Sequence, residues 1–183
     1  MQYTLIRSNR KTVGLQIKRG EIIVRAPMTL SKERIDDFVR EHEGWIQKHL
    51  EGSVARERQY EGIEPLSMEE LRELADRACQ TIPPRVKHYA SLLGVTYGRI
   101  TVRNQRTRWG SCSAKGNLNF NCLLMLAPPE VLDSVVVHEL CHRKEMNHSP
   151  RFYAEVRRVF PEYDKWHGWL KKNGAVLMRR MGG

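Results

Sequence analysis

His138-Glu139-Leu140-Cys141-His142 sets two imidazoles four residues apart, with a carboxylate beside the first. On a helix, residues i and i+4 differ in direction by only about 40°, so both rings can reach one ion. Glu139 leaves the helix about 100° from His138, to the side of that face. There it can take a proton from a metal-activated water instead of binding the metal. Zinc suits the pair because imidazole nitrogen is a good ligand and bound water at zinc has a pKa of about 7. The chemistry is metal-assisted hydrolysis with Glu139 as general base.

A catalytic zinc needs a third protein ligand. His148 follows His142 by six residues, and Asn147 tolerates the left-handed conformation in which a helix stops and the chain turns back. Glu155 and Glu162 are its rivals, since some zinc hydrolases draw a glutamate from the next helix. His167 is farther along and reads as a surface residue. Glu145 and Glu155 are candidates for orienting the ligands. Cys141, about 60° around the helix from His138, reads as a buried thiol beside them. Arg103, Arg106 and Arg108 form a local cluster that either grips a carboxylate or a phosphate or merely faces solvent.

The elements that must carry these residues can be read around them. Pro128-Pro129 opens a helix, and Val131, Leu132, Val135, Val136, Val137, Leu140 and Cys141 make it apolar nearly all round. Such a helix belongs in the middle of a domain, and two histidines and a glutamate buried on it need a reason. Upstream, residues 100–103 read as a strand, and residues 118–122 alternate either as an ordinary half-buried strand or as an edge strand on which Asn119 and Asn121 could flank an extended peptide. Lys115-Gly116-Asn117 is a turn. Downstream, Ser149-Pro150 starts a helix with Phe152, Tyr153, Val156 and Phe160 on one side, and Pro161 opens a last one that ends at Asn173-Gly174.

Residues 3–25 alternate apolar and polar, which predicts a β-hairpin or meander with one buried face, a turn at Lys18-Arg19-Gly20-Glu21 and an end at Pro27. From Ser31, the spacing of Ile35, Phe38, Val39, Trp45, Ile46 and Leu50 predicts one amphipathic helix. Residues 51–65, with Gly52, Gly62 and Pro65, read as a linker. A further helix begins at the capping pair Ser67 and Glu70, and Pro83-Pro84 predicts a bend or a division into two helices. The expectation is an α+β fold in a single domain, 1–183, with 1–50 a hairpin plus helix and 66–174 the metal-binding catalytic part.

The chain carries a formal charge of +10 over 183 residues, which favours anionic partners, nucleic acid included. The basic residues are spread in doublets, as on solvated helix faces. The four cysteines show no CxxC spacing, so neither a zinc ribbon nor a disulfide framework is expected. No apolar stretch is long enough for a bilayer and no signal peptide is visible, so the expected location is the cytoplasm.

Arg108-Trp109-Gly110-Ser111-Cys112, Val136-Val137 with the histidine motif, Asn147-His148-Ser149 and Phe152 together resemble the YgjP-like metallopeptidases, relatives of the SprT-like and other zincin proteins. The resemblance covers most of residues 1–172. It implies a zincin-like α+β domain, one zinc ion on His138, His142 and His148, and Glu139 as catalytic base. Three functions follow for comparison. The first is a metallopeptidase acting on peptide or protein. The second is a metal-dependent nucleotide phosphohydrolase using the arginine cluster. The third is a nucleic-acid-binding module with a structural metal, against which an intact Glu139 argues, because a structural site needs four ligands and no base.

Overall fold

In the computed structural model, which describes residues 1–18 and 20–181 apart from the side chains of 53–59, the chain divides into two units, Met1–Gly62 and Ile63–Gly183. The first unit holds β1 (Thr4–Ser8), β2 (Gly14–Lys18) and β3 (Glu21–Pro27) in the order β1-β3-β2. β2 and β3 form the expected antiparallel hairpin, but β1 runs parallel to β3, so the strands are not a meander. The central place goes to β3 because its Ile22, Val24 and Ala26 are all buried. The turn expected at Lys18-Arg19-Gly20-Glu21 includes Arg19, which lies outside the described residues; Gly20 has a φ of 78°, open to glycine at little cost.

Ser31 caps α1 (Lys32–Glu41) by accepting from the Arg34 N–H, and α2 (Glu43–Gln59) follows. The single helix expected here is broken at His42, and its second half runs on to Gln59, so that only residues 60–65 of the stretch read as a linker or exposed loop lie outside a helix. One glycine inside a helix costs only about 1 kcal/mol, too little for Gly52 to stop a stretch rich in Glu and Arg. Ile35, Val39 and Ile46 join the three β3 residues in this unit's core.

The second unit begins with α3 (Met68–Leu93), capped reciprocally by Ser67 and Glu70 as the sequence predicts. The helix stays continuous through Pro83-Pro84. Two prolines delete two i→i−4 bonds, but Leu74, Ala78, Ile82, Val86, Ala90 and Leu93 form one buried stripe across them, and that packing outweighs the loss. β4 (Ile100–Arg103), β5 (Gly110–Cys112) and β6 (Leu118–Asn121) form a sheet in the order β4-β6-β5. Of the two readings of residues 118–122 the edge strand is excluded, because β6 is the central strand: Leu118 and Phe120 are buried, and Asn119 is tied to the Ser111 hydroxyl of β5 at 3.2 Å. The edge beside the site is β5, three residues long and below the reach of an alternation pattern.

A 3-10 turn (Cys122–Leu126) leads into α4 (Pro129–Cys141), followed by α5 (Pro150–Val159) and α6 (Tyr163–Arg179). α4 packs against α3, α5, α6 and β5, the central position its apolar sequence predicts. α6 continues past Gly174. That glycine is a packing position and not a stop, since a Cβ there would lie 3.1 Å from the Trp109 indole. Arg85 on α3 and Asp133 on α4 are linked by a 2.6 Å ion pair. The architecture is α+β, and among the described residues no helix is long and apolar enough to cross a membrane.

Ile82 is fully buried just ahead of the prolines, whereas Leu92 on the same helix is half exposed. Ile82→Ala should lower unfolding free energy by about 2–5 kcal/mol and Leu92→Ala by under about 1. Urea denaturation compares them; equal losses would mean that α3 is not held by this stripe.

Candidate metal centre

His138 lies in the last turn of α4 and His142 caps it; His148 immediately precedes Ser149, the N-cap of α5. Each offers one ring nitrogen, and the three lie within 4.8 Å of one another. The His138 and His148 Nε2 atoms are 3.0 Å apart. Below them Phe152, fully buried on α5, places its ring centroid 4.9, 4.7 and 4.9 Å from those of His138, His142 and His148. This is an apolar floor under three converging imidazoles.

The outer ring nitrogens of His138 and His142 are also occupied. His142 Nδ1 lies 3.1 Å from the Glu145 carbonyl, which can only accept, so Nδ1 carries the proton and Nε2 keeps its lone pair. His138 Nδ1 lies 2.8 Å from the Tyr163 hydroxyl, itself 3.3 Å from His167 Nδ1. With Nε2 of His138 turned to the cluster, Nδ1–H donates to Tyr163 and the Tyr163 O–H donates to His167. Burial, reinforced by the neighbouring histidines, pushes His138 down to about 3. Burial also lowers His142, against the Glu145 hydrogen bond that raises it. His138 and His142, held neutral with fixed outer partners, are in the donor form a zinc ion requires, and the His148 ring converges on them, so the residues present fit the metal.

Glu139 is only 7% exposed. Gly110 of β5 lies so close that a Cβ there would come within 2.6 Å of Glu139 Oε1. Burial pushes this carboxyl up to about 8, while the Arg108 guanidinium pulls it the other way. Two cavities meet at Glu139 and His138. One, of about 230 Å³, is walled by Trp109, Val135, His167 and Leu170. The other, of about 320 Å³, is walled by Ser111, Cys112, His142, Met146 and His148. Arg108 and Gly110 line both.

The YgjP-like family model, described as a metallopeptidase domain, matches residues 11–72 and 66–173. The chain belongs to the YgjP-like family. It is therefore a hydrolase of the metallopeptidase kind, and the family implies a metal. Two solved metallopeptidase zymogens are similar to it, jannalysin of Methanocaldococcus jannaschii and abylysin of Pyrococcus abyssi. Each is 23% identical with a TM-score of 0.45, over 50% of this chain and 95% or 93% of the other. No curated protein matches.

Within this YgjP-like site the sequence-derived candidates separate cleanly. His138, His142 and His148 come together, with Glu139 beside them. Glu155 pairs with Lys144 at 3.1 Å and Arg158 at 2.9 Å, and Glu162 with Lys165 at 2.9 Å; neither carboxylate belongs to the cluster. Glu145 supports His142, but through its main chain. Cys141 is buried, as expected, and its thiol is pushed up to about 12 by that burial. His167 is not a surface residue: it is half buried, bonded to Tyr163 and part of a cavity wall. Of the three arginines only Arg108 lines the cavities; Arg103 and Arg106 are exposed and line neither.

Tyr163 and Gly110 are the residues that sequence reasoning gave no role. The signal for Tyr163 is its spacing of four from His167, the same interval as in the metal motif. Gly110 has no signal of its own until the carboxylate it touches is known. Gly110→Ala should force Glu139 or β5 to move, because the added Cβ would meet not only Oε1 but also Cγ of Glu139, at 2.7 Å, and that side chain is buried with little room to turn away. An overpacking loss of about 1–3 kcal/mol is expected, measured by urea denaturation beside Gly168→Ala, where a Cβ meets nothing within 4 Å. A Gly110→Ala protein as stable as the Gly168→Ala protein would contradict the close approach.

Proposed function

We propose that this chain is a zinc-dependent peptidase that holds one zinc ion through His138, His142 and His148 and uses Glu139 as general base. The observation that carries the reading is the convergence of three ring nitrogens within 4.8 Å beside a carboxylate that is almost fully buried. Bound zinc supplies Lewis acidity, acidifying water and polarising the scissile carbonyl.

The chain's own residues do the rest. Glu139 takes the proton of the attacking water and delivers it to the leaving amine. Its near-complete burial excludes competing water and strengthens its field on the reacting atoms. Tyr163 and the Glu145 carbonyl fix the His138 and His142 rings in the tautomers that present Nε2. β5 offers the outer main-chain groups of an edge strand along the larger cavity, and an extended peptide can pair with them. The single arginine at the cleft supports a peptide over a nucleoside triphosphate, whose phosphates call for several cations.

His138→Ala and His142→Ala should each abolish stoichiometric zinc, and His148→Ala should lower it nearly as far, measured by elemental analysis of purified protein. Full zinc in the His148→Ala protein would remove that ligand from the set. Zinc removal should lower Tm, because the ion binds only the folded arrangement. Glu139→Gln should keep its zinc yet lose at least about a hundredfold in kcat on cleaved peptides. Retained cleavage with zinc in place would sink the proposed mechanism.

A further inference from the structure

Arg108 sits in the connection between β4 and β5, and that connection is pinned. Asn121, fully buried on β6, donates from Nδ2 to the carbonyls of Gln105 at 2.6 Å and Arg108 at 3.1 Å. Its own N–H donates to the Trp109 carbonyl at 2.8 Å, and its Oδ1 accepts from the Leu123 N–H at 3.0 Å. On the far side the Trp109 indole packs against Gly174 of α6. The backbone at Arg108 is thus held by a buried amide whose polar atoms are all used.

The guanidinium it presents is exposed, and among the described residues it has no hydrogen bond or ion pair from any side chain. It lines both cavities that meet at Glu139, and its field reaches that carboxylate. Among the described residues Glu139 is the only carboxylate lining either cavity, and on the peptidase reading it is committed to proton transfer. A bound divalent ion would make the cleft more positive still. A peptide entering it meets one positioned cation with no acid of the protein to satisfy it. A guanidinium fork matches a carboxylate through two parallel bonds.

Arg108 is two residues from Gly110, which touches Glu139, so about 7 Å of chain separates their Cα atoms. An extended peptide advances about 3.3 Å per residue. A carboxylate held by Arg108 therefore falls within about two residues of the bond being cut. We infer that Arg108 selects peptides carrying a carboxylate one or two residues from the scissile bond, supplied by the peptide C-terminus or by an Asp or Glu side chain. The inference rests on the peptidase reading for its meaning, and its binding component can be tested without it.

Four acetylated random heptapeptide libraries separate the sources: with or without Asp and Glu in the mixture, and with a free or an amidated C-terminus. Zinc-loaded Glu139→Gln protein is immobilised and the bound peptides are quantified by mass spectrometry. At least one carboxylate-bearing library should be retained about tenfold or more over the library with neither. The library retained identifies the C-terminus or the side chain as the source. Arg108→Ala in the same background should erase the difference. Arg103→Ala and Arg106→Ala remove the same charge nearby and should leave it intact. Retention blind to carboxylates, retention of no library, or equal loss with Arg103→Ala overturns the assignment. Wild-type cleavage of the same libraries separates the two claims. Cleavage without carboxylate preference removes Arg108's role and leaves the peptidase reading standing. Arg108-dependent binding with no cleavage of any library does the reverse.

Discussion

A carboxylate moved out of water onto an apolar helix costs several kcal/mol unless other groups meet its needs, and α4 does this with Glu139. Its neighbours along the helix from Val135 to Cys141 are buried almost without break. The surrounding arrangement answers to that position. Gly110 brings bare backbone against the carboxylate because no side chain fits between them, and Arg108 supplies the opposing charge from the same strand entry. α3, α5 and α6 cover the remaining faces of α4. Their apolar burial, at about 25 cal/mol per Å², is the favourable term large enough to carry a polar cluster in the middle of a unit this size.

The three histidines are aimed by groups from different parts of the chain. The turn after α4 returns the Glu145 carbonyl to His142, α5 supplies the Phe152 floor, and α6 supplies Tyr163. A ring fixed at its outer nitrogen loses little freedom when the inner one binds an ion, which raises affinity without adding a contact. Tyr163 is almost fully buried, so its hydroxyl must find partners, and His138 and His167 are the two it has. Burial of the tyrosine and orientation of the ligand are one arrangement seen from two sides.

What could be read from the sequence was local. The α4 motif needs only helical periodicity, and the caps Ser31, Ser67 and Ser149 need only three residues of context. What could not be read was decided by distant partners. Which strand is central depends on which strands pair with its two edges, and alternation at residues 118–121 is the same in an edge strand as in a middle one. The prolines of α3 break a helix by local rules and are overruled by six buried side chains. Tyr163 acts on a histidine 25 residues earlier, and Gly174 reads as a stop until Trp109 lies against it.

On the proposed reading, the loop before β5 separates substrate choice from the metal chemistry. Asn121 bonds to main-chain carbonyls at Gln105 and Arg108, and a carbonyl is present whatever side chain the residue bears. The path of the loop is therefore set by β6, while the side chain at position 108 is left to face the cleft. The ligands and Glu139, by contrast, stand on α4 and in the turn after it, where any change of shape is felt by packed neighbours. A side chain on a backbone-anchored loop can change without repacking the three imidazoles, and it reaches the buried carboxylate only through its field. That division places catalysis in the tightly packed part of the unit and recognition at its rim.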